Sequence, residues 1–125
     1  MKILVIPNDP LYRYVTKGVL KERYFNPCDM FTEVHVMSLA GRDDAMDAAQ
    51  VLAGKAKVWI HPIGRPGFLS WPMIRKHATG LARELSPDLV RGYNPLLMGY
   101  LTVICARASK AVSVVSVHDD YSIAR

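Results

Sequence analysis

The sequence predicts an α/β fold, a three-layer Rossmann-like sandwich around a mainly parallel sheet. Two observations carry this expectation. Strand-type and helix-type segments alternate five times along the 125 residues. The strand segments are mostly continuous apolar runs, the pattern of strands buried on both faces.

Residues 2–6, "KILVI", form the first such run and stop at Pro7-Asn8-Asp9-Pro10. A helix is expected from Thr16 to about Tyr24, with Thr16 as its cap and Val15, Val19 and Leu20 as its apolar face. Residues 33–39, "EVHVMSL", read as the second strand. Asp43 and Asp44 open the next helix, with acids at its start and Gly54 at its end. Ala45, Ala48, Ala49 and Leu52 make one face of it.

"KVWI" at 57–60 is the third strand, running into His61-Pro62. The turn residues "IGRPG" follow. Ser70 is placed as a cap with Pro72 in the first turn of a helix. Ile74, Ala78, Leu81 and Leu85 line its apolar stripe, and Arg75, Lys76 and Arg83 lie off it. A short fourth strand falls at 88–91. Asn94-Pro95 begins a largely apolar, buried helix through about Ala108, and the last strand is Ala111–Val117.

Half of the chain is apolar, which argues against disorder. The length suits one domain, 1–125. The net charge is +5 with scattered basic residues, so no nucleic-acid-type run appears. Cys28 and Cys105 lack CxxC or zinc spacing and read as reduced thiols of a cytoplasmic protein. The apolar stretch "PLLMGYLTVICA" is shorter than the roughly 20 residues of a membrane span. The basic helix bearing Arg75, Lys76 and Arg83 allows peripheral membrane contact.

Doubly wound sheets bind ligands outside the carboxyl ends of their strands. Those ends are Asn8-Asp9, Ser38, His61-Pro62, Arg91-Gly92-Tyr93 and His118-Asp119-Asp120. No GxGxxG dinucleotide loop and no flavin-type phosphate loop follows the first strand. The acidic cluster of a receiver domain is also lacking there, and the third strand ends in His61 where a receiver has aspartate. His35 and His77 read as structural or surface residues, His61 as shaping a turn, and Trp59 and Trp71 as packing.

The segment "ELSPDLVRGYNPLLMGYLTVICARASKAVSVVSVHDDY" resembles the amino-terminal domain of family-4 retaining glycosyltransferases, nucleotide-sugar-dependent enzymes of GT-B architecture. That family has Pro-Asp, two apolar residues and His, then a small-residue helix, then a strand ending in Thr/Ser-x-His. Pro87-Asp88-Leu89-Val90-Arg91 and Ser116-Val117-His118 occupy those places, with Arg91 in place of the commoner histidine. "LKERYFNPCDMFTEVHVMSL" resembles an early segment of a subgroup.

The resemblance implies an acceptor-side domain, incomplete at its carboxyl end. It implies a missing donor-binding partner domain with a Glu-x7-Glu motif, a sugar or glycan acceptor, and no bound metal or cofactor besides the nucleotide-sugar substrate. The chain alone is then expected to be inactive.

His118 is the candidate catalytic residue, placed to hydrogen-bond the donor sugar or position an acceptor hydroxyl. Asp119 is placed to orient that hydroxyl, with Asp120 as a cap. Lys17 and Gly18, read as lying near a helix start, would meet a phosphate through backbone N–H groups and charge. Asn8, Arg91 and Tyr93 complete the candidate binding set. The rival expectations are a stand-alone Rossmann- or flavodoxin-like binding module, or a non-catalytic remnant.

Overall fold

A computed structural model of the chain describes residues 1–18 and 20–116. Its elements are β1 (Lys2–Ile6), α1 (Leu11–Lys17), β2 (Glu33–Ser38), α2 (Met46–Ala53), β3 (Lys57–Pro62), α3 (Trp71–Leu85), β4 (Leu89–Gly92), α4 (Leu97–Ser109) and β5 (Val112–Val115). A 3-10 turn lies at Pro27–Asp29. The five strands form one sheet in the order β3-β2-β1-β4-β5, and every pairing is parallel. The sandwich expected from the continuous apolar runs is what the chain forms.

The period of two along each strand sorts the core into two layers. Ile3, Val5, Val34, Val36 and Val58 face α1 and α2, where Leu11, Tyr14, Phe25 and Leu52 meet them. Leu4, Ile6, Met37 and Val90 face α3 and α4, against Ile74, Ala78, Ala82, Leu101 and Cys105. β1 is central, and Val5 and Ile6 have no exposed surface. β5 is an edge. Val112 and Val114 are in register with Leu89 and Arg91, and both stand open to solvent. Among the described residues no helix is long and apolar enough to cross a membrane.

Three helix starts differ from expectation. The first helix spans Leu11–Lys17, upstream of the expected 16–24. Pro10, at φ −56°, sets its entry, and Leu11 and Tyr14, three apart, bury its inner face. Val15 is exposed, and Thr16 does not cap. Its hydroxyl donates back to the Tyr12 carbonyl at 2.9 Å.

The second helix starts at Met46 because Asp43 turns inward to serve a different helix, as described below. The fourth starts at Leu97. Asn94 holds the preceding turn by accepting the Leu96 N–H at 2.7 Å. Ser70, expected as a cap, instead gives its hydroxyl to the Arg65 carbonyl at 3.1 Å, while Pro72 does sit in the first turn of α3. Gly54 ends α2 as expected. Its φ of +65° and the crowding of any Cβ by Arg23 and Asp29 leave room for glycine alone.

Candidate functional site

The strand order reverses between β1 and β4, so the loops leaving these two neighbours diverge and open a crevice at the carboxyl edge. Asn8 and Asn94 stand on those loops, and Asn94 Nδ2 donates to Asn8 Oδ1 at 2.9 Å across the crevice. Asn8 is thus at the place expected of it. Two glycines let α4 press onto this point. A Cβ on Gly92 would collide with the Thr102 hydroxyl and the Met98 carbonyl. A Cβ on Gly99 would lie 3.0 Å from the Asn94 carbonyl.

Arg91, one residue before the end of β4, is half-buried. Its Nε donates to Ser116 Oγ at 3.0 Å, and its guanidinium lies 4.8 Å from the centroid of the Tyr93 ring. These contacts fix the fork without neutralising it. Tyr93 itself has no exposed surface. Its hydroxyl reaches the Tyr24 carbonyl at 3.4 Å, and its ring sits between Phe25 and Tyr24. Burial pushes its phenol above the usual range, with the Arg91 charge acting the other way. Tyr93 is therefore a core residue that carries Arg91, and its expected role as a ligand contact is corrected.

Lys17 and Gly18 also need correction. They end α1 where a helix start was expected. Gly18 takes φ +66°, and its N–H is spent on the Tyr14 and Val15 carbonyls. A helix carboxyl end presents carbonyl oxygens, which repel phosphate. Lys17 turns back to Asp9, with Nζ 2.8 Å from Oδ2. His118 and Asp119 lie outside the described residues.

Sequence reasoning missed an arginine-lined cleft at this edge. Arg13, Arg42 and Arg65 line one cleft of about 400 Å³, together with Leu39, Ala40, Gly41 and Asp9. They come from α1, the loop after β2 and the loop after β3. A signal was present: each of the first three strand ends is followed within a few residues by one arginine.

The loops are tied to one another from below. Buried Asp43 accepts, on Oδ2, the Leu11 N–H at 2.7 Å and the Ser38 hydroxyl at 2.6 Å. Ile63 N–H donates to the Ser38 carbonyl and Gly64 N–H to the Ala40 carbonyl, both at 3.0 Å. Asp43 Oδ1 is buried without a partner among the described residues.

On the α3 side of the sheet, buried His35 Nδ1 lies 2.9 Å from His61 Nε2, and its Nε2 lies 3.2 Å from Glu33 Oε1. Trp59 stacks flat on His35, with 4.5 Å between ring centroids. Burial holds both imidazoles below their ordinary range. His61, expected to shape a turn, instead lies within β3, in register with Met37, and is half of a histidine pair. Among the described residues no three His, Cys, Asp or Glu side chains are grouped to hold a metal. Cys28 is exposed and Cys105 buried, both as free thiols, and burial pushes the Cys105 thiol up to about 12.

No protein-family model matches the chain, and no curated protein matches it either. Two solved structures of the C-terminal domain of PF1911 hydrogenase from Pyrococcus furiosus are similar to it in fold. One is 15% identical and covers 93% of this chain and 91% of its own, with a TM-score of 0.55. The other is 13% identical and covers 91% and 89%, again with a TM-score of 0.55. At such identity the likeness is one of fold.

Proposed function

We propose that the chain is the acceptor-side domain of a retaining glycosyltransferase, which moves a sugar from a nucleotide-sugar donor to an acceptor hydroxyl. One observation carries the proposal. Arg91 and Ser116, one from each of the two segments that resemble family-4 enzymes, lie at the carboxyl ends of the neighbouring parallel strands β4 and β5, and a hydrogen bond of 3.0 Å joins them. Residues 25 apart in sequence thus share one spot on the ligand-binding edge.

In such a transfer the bond from the anomeric carbon to the diphosphate breaks on the face where the bond to the acceptor oxygen forms. The diphosphate gains negative charge. A fixed guanidinium such as that of Arg91 stabilises that charge or an acidic acceptor. His118, two residues past Ser116, is the group proposed to meet the sugar or the attacking hydroxyl. Donor contacts are assigned to a second domain across the cleft, and no resident cofactor is needed.

Peripheral contact with a cytoplasmic membrane face belongs to the same proposal. Its support is Phe68, Leu69 and Met73, exposed at the start of α3 beside Arg75 and Lys76. A stand-alone Rossmann-like binding module is the rival. It shares the arginine-lined cleft but needs no second domain.

The coding sequence beyond Arg125 separates the two. A second β-α domain carrying Glu-x7-Glu is expected there or in a neighbouring gene. Combined with this domain it should transfer sugar from a nucleotide donor, and His118→Ala should lower turnover by about a hundredfold. Failure of every nucleotide sugar with the combined domains would refute the enzyme and leave the binding module.

A further inference from the structure

We propose that Arg13, Arg42 and Arg65 form a preorganised receptor for a phosphate monoester, which on the reading above is carried by the acceptor. The cleft they line sits at the carboxyl ends of β1, β2 and β3, to one side of the Asn8–Asn94 crevice and of Arg91.

The charge balance of this cleft is lopsided. Arg13 and Arg65 have no carboxylate within ion-pair reach among the described residues. Arg42 has only Asp44 at 3.5 Å, with both side chains almost fully in solvent, a contact of little worth. The one acid among its lining residues, Asp9, is engaged by Lys17. Three like charges around one hollow repel each other until an anion enters. Guanidinium forks suit the several oxygens of a phosphate better than ammonium groups do.

Scattered surface arginines would have independent backbones. These do not. Asp43 staples the first residue of α1 to Ser38 at the end of β2, which sets the base of Arg13 against the Arg42 loop. The Ile63 and Gly64 N–H bonds to Ser38 and Ala40 set the Arg65 loop against the same segment. The receptor's backbone is assembled before any ligand arrives, which lowers the ordering cost of binding. A cleft of about 400 Å³ has room for a phosphate with part of the body it is attached to.

Two sources share this chemistry: a soluble sugar phosphate, and a phospholipid headgroup. The second is geometrically open because Phe68 and Leu69 stand 96% and 89% exposed, three and four residues past Arg65.

The test is an amide and guanidinium NMR titration of the whole chain with inorganic phosphate, against sodium chloride at equal ionic strength. Phosphate is expected to shift Arg13, Arg42, Arg65 and the 39–41 backbone, and chloride is not. Arg13→Ala and Arg65→Ala should each weaken phosphate binding about tenfold. Arg65→Lys should weaken it severalfold, and Arg107→Ala, remote on α4, should leave it unchanged.

Two further arms assign the source. Glucose 1-phosphate binding tighter than inorganic phosphate indicates a soluble acceptor. Retention on phosphatidic acid vesicles, lost in Arg65→Ala, indicates a lipid one. Equal shifts with phosphate and chloride, or undiminished binding by both alanine variants, would overturn the receptor. So would an adventitious ion only: inorganic phosphate bound no more weakly than the sugar phosphate, with no retention on vesicles. Phosphate binding that survives while transfer fails refutes the enzyme alone, and the converse refutes the receptor alone.

Discussion

The two edges of the sheet differ in what is left over after their polar side chains have paired. At the amino edge they are used up on one another. Buried Asn26 donates to the Phe31 and Ala53 carbonyls at 3.0 and 2.9 Å and accepts the Phe31 N–H at 2.8 Å. Asp29 takes the Lys55 N–H and the Arg23 Nε, and those two bonds, the backbone one first, hold its carboxyl below the usual range. Asp88 accepts the Lys2 N–H at 2.7 Å, and Lys2 Nζ caps the Leu85 carbonyl.

At the carboxyl edge Asp43 closes the loops from beneath, and the groups above it, Arg13 and Arg65, are left unanswered among the described residues. The buried polar groups of the amino edge are satisfied within the fold, whereas Arg13 and Arg65 face solvent with no carboxylate partner among the described residues. One 125-residue chain has both, on opposite sides of the same strands.

The largest effect on the amino edge is expected at Asn26. Asn26→Ala removes three hydrogen bonds from buried backbone groups and should cost about 3 kcal/mol, read as a lower urea midpoint. A loss below about 0.5 kcal/mol would mean that the amino edge is not what fastens the chain.

Asp43 belongs to the carboxyl edge yet is used as the polar residues of the amino edge are, to satisfy groups of the fold. Asp43→Ala, leaving the Leu11 N–H and Ser38 hydroxyl unpaired, should cost about 1–3 kcal/mol. It should also weaken phosphate binding, since the loops carrying Arg13 and Arg42 lose their staple.

The sheet was legible because its signal is local and redundant. "KILVI" is too apolar to lie anywhere but between two layers, the β-branched "VSVV" suits a strand even on an open edge, and β-α alternation leaves few ways to arrange five strands. The helix ends were less so. Asp43 is a good helix-start residue by type, and nothing local shows that its carboxylate reaches back to Leu11, 32 positions earlier.

Tyr93 reads as a strand-end ligand contact until Phe25 and Tyr24 fold over it, which is a long-range packing event. Lys17-Gly18 differs for a simpler reason. Val15 suits a helix face by type, but the buried pair is Leu11 and Tyr14, so the two residues close a helix and do not open one. The arginine cleft went unread because its members are 29 and 23 residues apart, and only the parallel register aligns the loops that bear them.

A smaller effect comes from the histidine pair, which bridges β2 and β3. A bond between His35 Nδ1 and His61 Nε2 needs one donor and one acceptor, so it survives only while one ring is neutral. Burial, the largest cause for each, holds both pKa values below 6.5 in the folded chain. The folded state therefore resists protons that the unfolded chain accepts. The stability this contributes is complete above the unfolded value and declines as pH falls below about 6.5. Urea midpoints at pH 7.5 and 5.5 should differ in that sense, and His35→Gln should flatten the difference. A midpoint that rises on acidification would place the pair in a different environment.

The most direct trial of the division between edges is thermal unfolding of three proteins, each with and without inorganic phosphate. The chain itself should melt higher with phosphate, as mass action requires of a ligand that binds only the folded state. Arg13→Ala/Arg65→Ala should melt within a degree or two of the parent but lose the phosphate shift. Asn26→Ala should melt well below the parent and keep the shift. A double arginine variant that is as destabilised as Asn26→Ala, or that still gains the full phosphate shift, would contradict the account.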